Sequence, residues 1–273
     1  MKKKQVIQLI KHAIALILCF IVLAPFLVVF FNSLKTESQA AKMLFSMPID
    51  PQWQNYLIVI EKGKLINGFF NSLLYAMVST TIAVMISAMA TYVLARNNTR
   101  VNTIIYYFIL VGLFFPTSYL PLMRILKLFH LQGTRAGLIV AYTASMLPFC
   151  VFVIKNFVST IPISLDEAAI IDGAAPFQLF RKIMLPLLKP VITTVFILDF
   201  MGVWNDFMTP LYLSNSSSMW PMNLAVYNFF GKYQAKWHLV FADIILTTIP
   251  VIIVYLIGQK WIISGMTAGA VKS

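Results

Sequence analysis

Charge is scarce in this chain. Only 11% of its 273 residues are Asp, Glu, Lys or Arg, against about a quarter in an ordinary soluble domain. Acidic residues are the rarest of these, 9 against 21 Lys and Arg, for a net charge of +12. A free-standing soluble enzyme is therefore excluded, and so is a disordered chain, which needs the opposite balance of hydrophobicity and charge. Cysteine is nearly missing. Cys19 and Cys150 both lie in apolar runs, which rules against a disulfide framework, and no His/Cys cluster has metal-ligand spacing. No G-x-x-x-x-G-K-[ST] run occurs among the 11 glycines, so the sequence carries no phosphate-cradling loop. What it has in excess is apolar side chains, 60% of the total. In that setting the basic surplus reads as loops beside a bilayer rather than a nucleic-acid surface.

Six runs are long enough to cross about 30 Å of hydrocarbon as helices: residues 13–31, 73–95, 104–123, 136–154, 191–212 and 239–257. They are apolar all round and lack the alternation of a membrane barrel strand, so the expected fold is an all-α integral membrane protein of about six spans. Pro25, Pro116, Pro148 and Pro250 fall inside these runs and predict kinks. The Met1-Lys2-Lys3-Lys4 start resembles a secretory leader, but the apolar run after it is longer than a leader's, which about 15 residues bound. It reads as an uncleaved first span, with residues 1–12 in the cytoplasm. Six spans then put residues 96–103, 155–190 and the tail 265–273 on the same side, and the Lys/Arg bias between loops has the matching sign. Ser79, Ala83 and Ser87 recur four apart in the second run and predict close helix packing, within the chain or against a homologous subunit.

The most informative segment is the amphipathic loop 159–190. Ser164 with Glu167 has capping-box spacing, which predicts a helix from about Leu165. Gly173 predicts its end, and Pro176 suits the first turn of a second helix. Phe177, Phe180 and Met184 then share a face, and Pro186 and Pro190 are expected to end that helix before the fifth span. A two-turn helix is unstable alone, so this hairpin either packs on its own bundle or docks into a partner. Within the spans Asp199, Asp206 and Asp243 should face the bundle interior or a wet path, because a carboxylate among lipid is costly. Trp204, Asn205 and Asp206 together offer a flat ring and hydrogen-bonding groups suited to a hydroxyl-rich ligand.

Glu167-Ala168-Ala169, then Gly173, then Ile183-Met184-Leu185-Pro186 resembles the EAA loop of permease subunits in ATP-binding-cassette importers. Trp204-Asn205-Asp206-Phe207 and the tail Gly265-Met266-Thr267-Ala268-Gly269-Ala270-Val271-Lys272 are similar to elements of the carbohydrate-uptake, MalG-like branch. So are Asn71-Ser72 and Tyr92 with Ala95-Arg96 around the second span. The resemblance implies a MetI/MalG-like permease bundle over residues 13–264, in the cytoplasmic membrane of a bacterium with both termini cytoplasmic. It implies a coupling helix whose Glu167, Ala168, Ala169, Asp172, Gly173 and Phe177 meet an ATPase subunit. It adds a second ATPase contact at Gly265, Thr267, Gly269 and Lys272, and a translocation path that includes Trp204, Asn205 and Asp206. The implied partners are a second homologous permease, two ATPase subunits that hold ATP and Mg, and an extracytoplasmic sugar-binding protein. The chain itself would hold no cofactor and hydrolyse nothing. The outer loops 33–72 and 124–135 are expected to meet the binding protein. The rival expectation is an ion-gradient-driven secondary transporter that uses the buried aspartates.

Overall fold

Apolar side chains spaced without alternation favour helix, and helix is what forms. The computed structural model describes residues 2–231 and 235–268, with the side chains of 2–4 and 262–268 excepted. Among the described residues no strand forms beyond one isolated bridge, Phe230 to Ala235. In chain order the α-helices are α1 (Lys2–Ser33), α2 (Glu37–Ala40), α3 (Gln54–Lys62), α4 (Leu65–Arg96), α5 (Arg100–Val111), α6 (Tyr119–Leu128) and α7 (Arg135–Val158). They continue with α8 (Ser164–Ile171), α9 (Pro176–Leu179), α10 (Leu185–Asn205), α11 (Met208–Leu213), α12 (Met222–Ala225) and α13 (Trp237–Ala268).

Five of the described helical stretches are long and apolar enough to cross a membrane: Gln5–Ser33, Leu65–Arg96, Arg135–Val158, Pro176–Asn205 and Trp237–Trp261. The sixth apolar element, α5, is shorter. The run 104–123 is not one helix. Helix α5 stops at Val111, and its C-cap Gly112 lies so close to the Pro148 ring of α7 that a Cβ would come within 2.8 Å of it. Pro116 then denies the chain an N–H, and α6 restarts after Ser118 in extended conformation. Pro116 therefore sits in the irregular connection between α5 and α6 rather than in a kinked helix. The fifth run is also divided, since α10 ends at Asn205 and α11 follows. Pro25, Pro148 and Pro250 are accommodated inside helices, as is Pro190.

The chain divides into two compact units. The first holds residues 1–66 and 225–250. None of the apolar window of its first helix is buried within the chain. After α1 the loop ties itself into a polar knot. Lys35, only 3% exposed, donates to Asn32 Oδ1 (3.1 Å), the Leu44 carbonyl (2.8 Å) and Ser46 Oγ (3.1 Å). Asn55 of α3 donates to the carbonyls of Ser33 (2.8 Å) and Lys35 (3.0 Å). Burial pulls the Lys35 amine below the usual lysine range.

The second unit holds residues 67–224 and 251–273. Its described core is α4, α7 and α10, with α5 along α7. Ser79, Ala83 and Ser87 are fully buried in this unit, and Thr143 of α7 donates to the Ser79 carbonyl at 3.4 Å. The small-residue stripe thus serves packing within the chain, not a homologous subunit. Thr194 of α10 donates to the Trp261 carbonyl at 2.9 Å, and Gly258 lets Ile197 approach.

Candidate functional site

The hairpin forms where the sequence predicts it, with different edges. Helix α8 starts at Ser164 itself, its N-cap is Ile163, and no side chain caps it, so the expected capping box is not made. The end follows expectation. Gly173 has φ +79, its N–H donates to the Ile170 carbonyl (3.0 Å), and the Ala174 N–H reaches back to the Ala169 carbonyl (2.9 Å). This paired closure is a Schellman stop, and a residue without Cβ satisfies it at least strain.

Pro176 opens the second helix as expected, but Pro186 and Pro190 do not close it. A proline ring cannot approach the carbonyl four residues back. Here a π-helical turn, Phe180–Met184, precedes Pro186 and widens the ladder, so the helix runs on through α10 as one 30-residue stretch, Pro176–Asn205. The hairpin is therefore in rigid continuity with a membrane span. Phe180, Met184 and Leu188 are buried, whereas Phe177, expected beside them, is 66% exposed in the first turn.

The two faces of α8 differ. Asp166 and Ala169 point inward and are buried. Arg96, the last residue of α4, pairs its Nε with Asp166 Oδ2 at 2.5 Å and donates from Nη1 to the Ile161 carbonyl at 3.0 Å. Outward lie Glu167, Ala168, Ile170 and Ile171, with Asp172 and Gly173 at the turn. Ile171 is 85% exposed. Of the six residues expected to meet an ATPase subunit, five thus share an open surface and Ala169 is a packing residue. Sequence reasoning missed the exposed Ile170 and Ile171 and the Arg96–Asp166 pair. The signal was present as two adjacent carboxylates, Asp166 and Glu167, which a helix must aim about 100° apart.

The second candidate region is a cavity of about 410 Å³ in the same unit, lined by Tyr119, Tyr142, Ser145, Asp199, Asn205 and Asp206 among others. The break between α10 and α11 opens it. Asp206 accepts the first two N–H groups of α11, Met208 at Oδ1 (3.1 Å) and Thr209 at Oδ2 (3.2 Å), which suits a carboxylate at a helix start. Tyr119 stacks on Tyr212 with centroids 4.6 Å apart. Asp199 accepts a hydrogen bond from the Cys150 thiol. Trp204 does not line this cavity. It is buried between Phe200 and Phe69, each ring 5.7 Å away. Asp243 is buried in the first unit. Gly269 and Lys272 lie outside the described residues, and for Gly265 and Thr267 only the helical backbone of α13 is described.

A multi-pass helical protein with a polar cavity, and a hairpin that shows apolar and acidic side chains at the end of a span, is of the class of membrane transport subunits. The chain belongs to the family of binding-protein-dependent transport system inner membrane components, whose pattern it matches over residues 83–268. It is 33% identical over 267 residues to a diacetylchitobiose uptake system permease of Streptomyces coelicolor, covering 96% of this chain and 88% of that one. It is 34% identical over 279 residues, the whole of both chains, to a multiple sugar-binding transport system permease of Streptococcus mutans. It is 32% identical over 252 residues, 91% of each chain, to a melibiose/raffinose/stachyose import permease of Bacillus subtilis. A bacterial transporter involved in the import of the acidic polysaccharide alginate has the same fold, with TM-score 0.82, 20% identity, and coverage of 95% of this chain and 98% of that one. The protein is thus an all-α, multi-pass permease of the importer family. Family membership decides against the ion-gradient alternative.

Proposed function

We propose that this chain is one of two homologous permease subunits of an importer for sugars or oligosaccharides. Two ATPase subunits, which hold ATP and Mg, would drive it, and an extracytoplasmic sugar-binding protein would feed it. The single observation that carries the coupling role is the outward face of α8 and its turn, where Glu167, Ala168, Ile170, Ile171, Asp172, Gly173 and Phe177 lie open. Exposed isoleucines and a phenylalanine beside two carboxylates call for a partner that supplies an apolar cleft with basic groups. The tail from Gly265, with Thr267, Gly269 and Lys272, is a second contact for the ATPase pair. The cavity supplies this subunit's part of the path, with Asn205 and Asp206 as hydrogen-bonding groups and the Tyr119–Tyr212 stack as a flat apolar platform. Trp204 holds the end of α10 by packing. The sugar class is supported by relatives whose names specify diacetylchitobiose, melibiose, raffinose and stachyose. Both termini and the hairpin lie on the cytoplasmic side.

Co-purification from membranes tests the reading. ATPase subunits should be retained with the chain, and a sugar-loaded binding protein should stimulate their hydrolysis. Glu167→Lys should release the ATPase subunits while the chain stays in the membrane. Unaided sugar transport by the purified chain in liposomes would overturn it.

A further inference from the structure

A lever works only if its load is fastened to it. The hairpin has two covalent attachments, to α7 before it and to α10 after it. It also has a third, made by side chains, to the 32-residue helix α4. That attachment is the Arg96–Asp166 pair, the only ion pair among the described residues. Arg96 also reaches the Ile161 carbonyl just before α8, so one guanidinium holds both the chain entering the hairpin and the first turn of its helix. One turn back along α4, Tyr92 lies with its ring centroid 5.9 Å from that of Phe180.

The chemistry of this attachment differs from that of the rest of the hairpin. Apolar contacts resist compression and slide under shear, whereas a close ion pair, with the Arg96 Nη1 hydrogen bond to the Ile161 carbonyl beside it, holds direction. Arginine's planar fork serves a carboxylate and a carbonyl together, which a lysine ammonium on a single stem does less well. Both side chains are nearly buried, at 12% and 10% exposure, so solvent screens them little. Asp166 and Glu167 divide the roles of one helix, one facing α4 and the other facing outward.

We infer that the Arg96–Asp166 pair is the latch that delivers movement of the docked hairpin to α4, which makes Arg96 a positioning residue for energy coupling that acts through Asp166. This rests on the docking reading above. Without the latch the ATPase subunits still close on the hairpin, and α10 still follows, but α4 no longer moves with it. The transporter then hydrolyses ATP with little transport.

The experiment uses the assembled complex with its binding protein in proteoliposomes and measures sugar uptake and ATP hydrolysis on one preparation. Arg96→Gln should leave hydrolysis within about two-fold of wild type and lower uptake per ATP by about ten-fold, a typical coupling between sites. The swap of Arg96→Asp with Asp166→Arg should recover part of that ratio, and Arg96→Lys should lie between. If Arg96→Gln keeps the wild-type ratio, or if uptake and hydrolysis fall in parallel, the latch is overturned. If Arg96→Gln does not assemble, Arg96→Lys decides, because a wild-type ratio there overturns the latch and a lowered one supports it. Failure of the wild-type chain to retain ATPase subunits would sink the docking reading instead, a result visible before any ratio is measured.

Discussion

The thiol of Cys150 in α7 donates to Asp199 Oδ2 in α10 across 2.9 Å, so an aspartate within the span Pro176–Asn205 is held by a neighbouring helix. A single polar link between transmembrane helices contributes about 0.6–2 kcal/mol. Cys150→Ser should keep the donor and stay close to wild type in thermal stability. Cys150→Val should lose that amount, and detergent-solubilised melting curves of the three proteins should separate accordingly. Equal stability of the valine variant would show that Asp199 has another partner.

The segment after α11 is fastened to α4 by backbone carbonyls. Asn71 donates to those of Ser218 (2.9 Å) and Trp220 (3.0 Å), Tyr75 to that of Met219 (2.9 Å), and Ser72 Oγ accepts the Met222 N–H (2.9 Å). Asn71→Ala removes two of these bonds, while the Ser218 carbonyl keeps the Asn67 amide at 2.9 Å, and the loss should be about 1–3 kcal/mol. Amide exchange in residues 216–224 should rise, while the hairpin 164–184 should be unchanged.

Lys35 gives the polar knot after α1 a pH dependence of known sign. Burial lowers its folded pKa below the ordinary 10.5, so in the window between the two values the unfolded chain holds more protons than the folded one. Stability of the knot therefore rises as pH climbs through that window and is constant below it. Thermal unfolding of the purified protein between neutral pH and pH about 10 should show the rise, and Lys35→Met, which has no proton to lose, should flatten it.

Much of this architecture was legible because two kinds of signal are local. Apolar length marked the spans, and Gly173 with Pro176 marked the turn, since each residue type has few backbone options. What was not legible depends on neighbours. Gly112 looks like any glycine in an apolar run until the Pro148 ring lies against it. Pro186 reads as a helix stop until a π-turn makes room for it. Trp204 beside Asn205 and Asp206 suggests a sugar platform, yet the end of α10 turns the indole toward Phe200, and the rings that stack beside the cavity are Tyr119 and Tyr212, which are far apart in sequence. Asp166 and Glu167 are chemically alike, and only the position of Arg96 tells which of them is buried and paired and which is exposed.

Gly173 separates the cost of a backbone from the cost of a lost partner. Its φ of +79 strains any residue with a Cβ, by about 1–2 kcal/mol, and Asn by less. A Cβ placed there meets no atom of this chain within 4 Å. Gly173→Asn should accordingly fold and enter the membrane almost as well as wild type. Gly173→Ala should lose no more than the strain. If the turn is seated in an ATPase cleft, both side chains project into that cleft, and ATPase retention on purification should fall further than folding does. The two measurements must diverge. Should retention track folding stability across the glycine, alanine and asparagine series, the open side of Gly173 faces solvent in the assembled transporter, and the docking face of α8 would have to lie elsewhere.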